Sequence, residues 1–586
     1  MNVLRRKWQG LPRGVVVCIT ALVIYVPLLF IVVQSFLSAP FFSRSKSWSL
    51  EAFAFIFTDP DFYLALRSGF ILAFGLVIIA IPLGGILAFL MVRTDLPGRR
   101  FIEPLILVPI FVSPMVLGFG YVVAAGPVGF FSQWAQQLIG FVPWNIYSMF
   151  SIVVIAGLTH VPHAYLYISS ALRSVGSDVE EAARTVGATP LQVMTSVSLP
   201  MVRPSILYAC VLLFFLGLEV FGLMLVLGDP EGNMVLATYL YKLTNKLGTP
   251  SYHLMAAVVL ICITIPLVML QRRLMRTANR FVTMKGKASQ ARALPLGKWR
   301  WVAGAVVVAW LTVTIGVPLL GVALRAFISN WGVGVSLWDE LSLTTFHNIW
   351  QQPNLLRAIV NSMAIGIVGG ALAVICYLFV GIAMHRKADN VTRFLDYSVL
   401  VPRAVPGLLA GLAFLWVFLF VPMWLDQSLK HGWLSALPVA DWLREHLIVQ
   451  LRALRNTIFS VWLAYTVVWM AYGLRLISST LLQVGPELEE AARSTGASRG
   501  QITRHVTVPL SRYGLIGSWL LMFLIFEREY STGVYLLSPG TETIGSMLVS
   551  LWAVGGHRYR RGALLYQYSA GGDWPWHRPA LWSEIT

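Results

Sequence analysis

The chain has 586 residues, of which 57% are hydrophobic and 12% are charged, and its mean hydropathy is +0.72. Soluble domains carry about 25% charged residues, so this composition excludes an ordinary water-soluble domain. The net charge of +18 comes from Lys and Arg residues that mostly flank apolar stretches, without a basic and aromatic binding motif, which argues against nucleic-acid binding. We predict an all-α polytopic membrane protein in contact with a lipid bilayer.

The first half of the chain is predicted to form six membrane spans. Residues 1–13 are basic, which places the N-terminus in the cytoplasm by the positive-inside bias. Each apolar stretch that follows is close to the ~20 residues that a bilayer requires. The stretch 272–300 is rich in Lys and Arg and has no acidic residue, so we interpret it as a cytoplasmic linker after a first transmembrane domain, residues 1–271. The predicted spans are 15–33, 68–92, 104–125, 147–172, 204–227 and 252–270.

The pattern then starts again in a second transmembrane domain, residues 301–555. Corresponding loops fall on the same side of the membrane, so the halves are predicted to be parallel repeats related by an axis along the membrane normal. A twelfth span is expected near residue 560, but no apolar stretch there is long enough. The tail 556–586 is interpreted as an altered or frameshifted remnant of that helix, or as a divergent tail on the outer face. The predicted spans of this half are 301–324, 358–384, 395–421, 458–481 and 514–537.

A polar segment occurs twice, at residues 177–200 and 486–509. From the first Glu to the final Pro, about half of the positions are identical. Such a repeated polar segment in a membrane protein suggests a partner outside the bilayer. The residues assigned to this site are Glu180, Glu181, Ala182, Ala183, Gly187 and Pro200, and in the second copy Glu489, Glu490, Ala491, Ala492, Gly496 and Pro509.

Each copy is predicted to form two short helices joined by a tight turn. Ser177 fits the cap of the first helix, with Glu180 at the capping-box position. Gly187 and its counterpart in the second copy fit the left-handed residue that ends a helix. Thr189 and Ser498 then fit the caps of the second helix.

The repeated segment resembles the conserved cytoplasmic loop of permease subunits of binding-protein-dependent ABC importers. The resemblance covers about residues 68–544 in two halves, which implies a fused permease pair of the type I importer architecture. Residues 400–407 look most like ferric-iron permeases, and fused thiamine, polyamine and 2-aminoethylphosphonate permeases are close relatives. The second copy departs from the pattern at Val508 and Tyr513. The matching residues are Glu181-Ala182-Ala183, Gly187 and Leu199-Pro200, repeated as Glu490-Ala491-Ala492, Gly496 and Val508-Pro509.

The resemblance implies partners and a location in the cell inner membrane. Each loop would dock as a short helix on one subunit of a cytoplasmic ABC ATPase dimer, and a periplasmic or surface substrate-binding protein would deliver the substrate. The loop Glu would pair with a basic residue of the ATPase or serve its own helix N-terminus, and both roles stay open. The chain has no Gly-x-x-x-x-Gly-Lys-Ser/Thr loop, so ATP would be used by the partner subunits. We therefore expect no catalytic residue and no bound cofactor in this chain.

Four polar residues inside predicted spans are candidates for a translocation path: His160, Glu219, Glu527 and Glu529. Charge within a membrane is costly and usually functional. Glu219 lies in the predicted span 204–227, and Glu527, Arg528 and Glu529 are expected to interrupt the predicted span 514–537. The structural alternatives are an ion pair of Arg528 with a neighbouring Glu, and a His that satisfies a carbonyl freed by Pro162.

A competing function is an ion-coupled secondary transporter that uses intramembrane acids such as Glu219 and Glu529. Such a carrier has no use for two docking helices, so the duplicated polar segment favours the importer. A membrane-embedded enzyme lacks support, because no catalytic motif occurs in the sequence. The cysteines are scattered within apolar spans without a Cys/His cluster, which predicts neither a metal site nor a disulfide.

Overall fold

The computed structural model describes residues 2–39, 45–174, 177–245, 295–328, 340–385, 389–405, 407–436, 438–536 and 538–551. The predicted span 252–270, most of the linker 272–300 and the tail 556–586 lie outside these residues, so those expectations stay predictions. Within the described ranges the regular structure is helical, apart from two isolated β-bridges.

The helices of the first half follow the predicted order, with additional short helices between the spans. They are α1 (Asn2–Ser35), α2 (Glu51–Thr58), α3 (Pro60–Arg93), α4 (Arg99–Phe111), α5 (Pro114–Ala125), α6 (Phe130–Ile139), α7 (Met149–Ser174), α8 (Ser177–Thr185), α9 (Pro190–Val193), α10 (Leu199–Leu218), α11 (Gly222–Leu227) and α12 (Leu236–Asn245).

The second half repeats this order. Of the five π-helical turns in the described residues, one, Met194–Ser198, lies in the first half and four lie in this half. Its helices are α13 (Trp299–Leu311), α14 (Val317–Phe327), α15 (Thr344–Gln351), α16 (Pro353–Ala364), α17 (Gly370–Met384), α18 (Asn390–Ala404), α19 (Gly407–His431), α20 (Ala440–Trp442), α21 (Val449–Leu454), α22 (Ile458–Val468), α23 (Met470–Leu482), α24 (Pro486–Ser494), α25 (Arg499–Ile502), α26 (Val508–Leu510) and α27 (Arg512–Arg528).

Eight helices in the described part of the chain are long and apolar enough to cross a membrane, and two bent helix pairs bring the number to ten. The bent pairs are α22 with α23, at 63°, and residues 499–510 with α27, at 69°. Ten of the eleven predicted spans therefore have a counterpart, and the remaining one is the undescribed stretch 252–270. The protein is an all-helical, multi-pass membrane protein.

Two predicted spans are broken at equivalent places. The span predicted at 104–125 consists of α4 and α5, and Ser113 between them is extended, with φ −61° and ψ 130°. The span predicted at 395–421 consists of α18 and α19, and Val405 between them has φ −99° and ψ 125°. Each of these residues precedes a proline, whose ring disfavours the α-helical region for the residue before it.

The two halves interlock through their first spans. Helix α1 packs against α17, α18 and α19 of the second half, and α14 of the second half packs against α5 of the first. Gly120 of α5 and Gly321 of α14 lie where a Cβ would overlap backbone atoms of the other helix. The Tyr121 hydroxyl donates to the Val313 carbonyl across the same contact, at 2.8 Å.

Each half also fastens the start of the other half's first span. The Arg13 guanidinium of α1 donates to both carboxylate oxygens of Asp389, at 2.6 and 2.8 Å. This contact and the Thr392 hydrogen bonds hold the pKa of the Asp389 carboxyl well below its usual range. In the reverse direction, Asp95 accepts the backbone N–H of Leu296 just before α13, at 2.8 Å. The interlock is therefore reciprocal, as a two-fold arrangement of repeats requires.

Candidate functional site

The two repeated segments form matching helix hairpins. Gly187 ends the turn after α8 with φ +90°, and Gly496 ends the turn after α24 with φ +85°. The next residues donate to carbonyls five positions back, Ala188 to Ala183 and Ala497 to Ala492, at 3.1 Å in both copies. The left-handed glycines expected from the sequence are thus present, and both turns close in the same way.

The second helix of each hairpin has the expected reciprocal cap. Ser498 and Gln501 exchange side-chain to backbone hydrogen bonds, at 2.8 and 3.3 Å. Thr189 and Gln192 do the same in the first copy, at 2.8 and 3.3 Å. The side chain of Ser177 is not among the described atoms, so its predicted cap stays a prediction.

The first Glu of the first hairpin is buried against its own transmembrane half. Glu180 is 6% exposed, and its Oε1 lies 3.1 Å from the guanidinium of Arg93, the last residue of α3. The Ser198 hydroxyl donates to the same oxygen at 2.7 Å. The neighbouring Glu181 is exposed. One Glu therefore fastens the hairpin to the membrane domain, while the other faces outward.

The second hairpin repeats this arrangement with different chemistry. Glu489 is 4% exposed and its Oε1 lies 3.0 Å from Nε2 of His385, at the end of α17. The Thr507 hydroxyl donates to that oxygen at 3.1 Å, and Glu490 is exposed. An imidazole thus stands where the first half has a guanidinium.

Both hairpins continue into the following span through a π-helical turn, at Met194–Ser198 and at Thr503–Thr507. Ser198 and Thr507 are the last residues of these turns, and they supply the hydroxyl that binds the buried Glu. Sequence reasoning did not identify Arg93, His385 or this hydroxyl pair. The signal available in the sequence was a basic residue at the end of the second predicted span in each half.

The exposed surface of each hairpin combines its second Glu with small and apolar side chains. Ala182 and Ala491 are exposed, Ala183 and Ala492 are partly exposed, and Val186 beside the first turn is 85% exposed. Pro200 and Pro509 are also exposed. An open depression of about 370 Å³ lies between the two helices of the second hairpin and is lined by Ala492, Thr495, Gly496, Ala497, Gln501, Ile502, His505 and Val506.

The candidate acids lie at helix ends, and the helix of the predicted span 514–537 ends among them. Helix α27 ends at Arg528, and Glu529 is extended, with φ −72° and ψ 130°. Glu219 is the residue that ends α10. The Arg528 guanidinium donates to the Ile110 carbonyl of the first half.

The carboxylate of Glu529 is buried, and both of its oxygens accept hydrogen bonds. Its Oε2 accepts the indole N–H of Trp469 at 2.9 Å. Its Oε1 accepts the Ser531 hydroxyl at 2.7 Å, and both the backbone N–H and the hydroxyl of Thr532 at 3.1 Å. This network holds the chain after α27 in place. By contrast, Oε1 of Glu527 is buried without a hydrogen-bond partner.

His160 bonds a backbone carbonyl within its own helix. Its Nδ1 lies 2.8 Å from the Ala156 carbonyl, and its ring stacks on His163 with 5.4 Å between ring centres. Pro162 removes the helical donor of the Leu158 carbonyl, not of the Ala156 carbonyl. His160 therefore does not bond the carbonyl that Pro162 frees. In the described part of the chain, no group of three or more His, Cys, Asp or Glu residues could hold a metal ion.

Comparison with known proteins returns one family in both halves. The family described as "Binding-protein-dependent transport system inner membrane component" matches residues 80–280 and 377–551. These two segments contain both hairpins and the breaks at the ends of α10 and α27.

Curated relatives match at low to moderate identity. The chain is 22% identical over 474 residues to "Ferric transport system permease protein FbpB" of Actinobacillus pleuropneumoniae, an alignment that covers 79% of this chain and 63% of that protein. It is 22% identical over 465 residues to "Putative ferric transport system permease protein FbpB 1" of Haemophilus influenzae, covering 78% and 67%. It is 30% identical over 167 residues to "Molybdenum transport system permease protein ModB" of Escherichia coli, covering 28% and 72%. The chain thus spans less than two thirds of the first of these relatives.

Proposed function

Because this chain belongs to the family of inner membrane components of binding-protein-dependent transport systems, we propose that it forms the translocation path of an ATP-driven importer of ferric iron. The observation that carries this proposal is the pair of hairpins, each fastened to its own half by a buried Glu. Two matching docking surfaces suit two copies of an ATPase subunit. ATP hydrolysis is assigned to those partner chains, with no catalytic residue in this one.

The hairpins are built to transmit motion. Each is tied through its Glu to the end of the second span and continues without a loop into α10 or into α26 and α27. A displacement of a hairpin by the ATPase would therefore move two spans of the same half together. Rigid-body rocking of the halves about a central path follows from such a connection.

Ferric iron is proposed as substrate because the relatives that cover most of this chain are ferric permeases by name. Thiamine, a polyamine or 2-aminoethylphosphonate is the alternative, with the same mechanism. A periplasmic or surface binding protein would deliver the substrate, and the hairpins would lie in the cytoplasm together with the N-terminus.

The experiment compares Gly187→Asp plus Gly496→Asp with Gly232→Asp. All three glycines have a positive φ and open space where a Cβ would stand. Asp tolerates the left-handed conformation better than most residues, so the fold is retained in each variant. A charge at both hairpin turns is expected to lower ATP-dependent uptake of radiolabelled ferric iron about tenfold or more, since like-charge or unpaired groups in an interface cost several kcal/mol. Gly232→Asp carries the same backbone strain away from the hairpins and is expected to leave uptake unchanged.

Uptake is measured in sealed vesicles that contain the candidate ATPase and receptor, with membrane yield as a control. Equal uptake by the hairpin variant and Gly232→Asp would contradict the docking role. Movement of thiamine, a polyamine or a phosphonate instead of iron would refute the substrate alone. Uptake that persists without the ATPase would favour an ion-coupled secondary transporter.

A further inference from the structure

Two aromatic residues from opposite halves stack on each other in the interior. Phe221 and Tyr530 are 3% and 8% exposed, and their ring centres lie 6.1 Å apart with 23° between the ring planes. Each follows the helix that rises from a hairpin, Phe221 after α10 and Tyr530 after α27. The pair therefore joins the two halves at the ends of equivalent spans.

The two residues occupy equivalent positions in the repeat. Glu489 follows Glu180 by 309 residues, and adding 309 to 221 gives 530. Two residues that are equivalent under a two-fold rotation are equally distant from its axis on opposite sides. If they also touch, the axis runs between them. Phe221 and Tyr530 therefore meet on the axis that relates the halves.

The pair lies at the ends of α10 and α27 that are farthest from the hairpins. Helix α10 has 20 residues and α27 has 17, so they rise about 30 Å and about 25 Å from the hairpins. The chain then turns into α11, whose residues Gly222–Leu227 are all buried. An aromatic contact and a buried helix thus fill the axis at the far end.

A hydrogen bond locks the two rings in place. The backbone N–H of Gly222 donates to the Tyr530 hydroxyl at 2.9 Å. A Cβ at residue 222 would overlap that hydroxyl, so only glycine allows the approach. Tyr241 also packs on Phe221 in a T-shaped arrangement, with 5.6 Å between ring centres. This bond breaks when the halves separate at the axis.

We propose that Phe221 and Tyr530 are the gate that closes the translocation path opposite the hairpins, and that the bond from Gly222 to the Tyr530 hydroxyl is its latch. This inference rests on the proposed function, because a gate requires a path between the halves. Rotation of one half against the other moves equivalent residues on the axis apart. The gate therefore opens with the same motion that the hairpins drive.

The test joins the two positions covalently in Phe221→Cys plus Tyr530→Cys. A protease site in the linker 272–300 allows the halves to be separated after the reaction. A short bis-methanethiosulfonate reagent is expected to keep the cleaved halves joined and to block uptake until a reductant releases it. Leu216→Cys plus Ile525→Cys is the control, because these residues are equivalent on the same two helices but lie before the contact. The background chain has alanine at its native cysteines, Cys18, Cys210, Cys262 and Cys376.

The outcomes separate the gate from the proposed function. Cross-linking that blocks uptake, and that slows when ATP and the ATPase open the gate, supports both. Cross-linking that blocks uptake but never responds to ATP supports the gate and refutes the ATP-driven importer. Absence of cross-linking in every state, or undiminished uptake in cross-linked protein, overturns the gate even where the background chain imports iron with ATP.

A second variant tests the latch without cysteines. Tyr530→Phe keeps the ring stack and removes the hydroxyl, which leaves the Gly222 N–H without its acceptor. The rate of ATP-independent leak of substrate through the protein is expected to rise, by about tenfold at most, the usual effect of one buried hydrogen bond. Tyr535→Phe is the matched control nearby in the same half. An equal leak in both variants would refute the latch.

Discussion

Glu180→Ala is expected to lower the thermal stability of the protein and uncouple the first hairpin, while Glu181→Ala leaves stability unchanged. The two residues are adjacent and chemically identical, but only Glu180 is buried against the Arg93 guanidinium, which is itself 5% exposed. Removing one partner of a buried ion pair strands the other charge and typically costs about 3–5 kcal/mol. Ser198 also loses its acceptor. Thermal unfolding in detergent and amide hydrogen exchange of residues 177–185 measure the difference.

The second hairpin provides an internal comparison. Glu489→Ala strands the His385 imidazole, whereas Glu180→Ala strands the permanently charged guanidinium of Arg93. We therefore expect a smaller loss of stability than for Glu180→Ala. Removing Arg93 as well, in Arg93→Ala plus Glu180→Ala, should recover part of the loss, because no charge is then stranded. Equal losses for Glu180→Ala and Glu181→Ala would show that the buried pair does not hold the hairpin.

Gly120→Ala and Gly304→Ala are expected to change stability in opposite directions. Both glycines lie inside helices, where alanine is favoured by about 1 kcal/mol. Gly304 has open space around its Cα, so its replacement should stabilise α13. At Gly120 the added Cβ would overlap the Pro318 backbone of the other half. Overpacking of this kind costs about 1–3 kcal/mol, which exceeds the helical gain.

The same unfolding experiment in detergent measures both glycine variants. Gly120→Ala should also reduce the fraction of the two halves that stay associated after cleavage in the linker, whereas Gly304→Ala should not. A gain of stability at Gly120 equal to that at Gly304 would mean that the two helices do not approach as closely as the structure shows.

Features determined by neighbouring residues could be predicted from the sequence. The left-handed conformation of Gly187 and Gly496 and the cap at Ser498 depend on a few adjacent residues, and they appear as expected. The repeat of the two halves and most of the spans follow from long apolar stretches separated by basic loops. The family resemblance rested on the same local motifs and is confirmed by the match in both halves.

Features determined by packing between distant segments could not be predicted. Glu180 and Glu181 look alike in the sequence, and only the position of Arg93, on another helix, decides which of them is buried. Pro114 and Pro406 indicate possible helix breaks, but each lies in a continuous apolar stretch, which favoured an unbroken span. Likewise, the ends of α10 and α27 depend on contacts such as the Glu529 network and the Phe221–Tyr530 stack. The residues that make these contacts are far apart in the sequence, so local sequence patterns do not predict them.

The exchange of first spans between the halves also bears on how the protein is made. Helix α1 ends at Ser35, but its partner α19 ends only at His431. At about 5–20 residues per second, the ribosome needs roughly 20–80 seconds to synthesise the intervening chain. During that time α1 lies in the bilayer with lipid as its neighbour, and Arg13 lacks its hydrogen-bond partner Asp389. The first half therefore cannot finish folding before the second is largely inserted, and joining both in one polypeptide ensures that the missing neighbour arrives beside it.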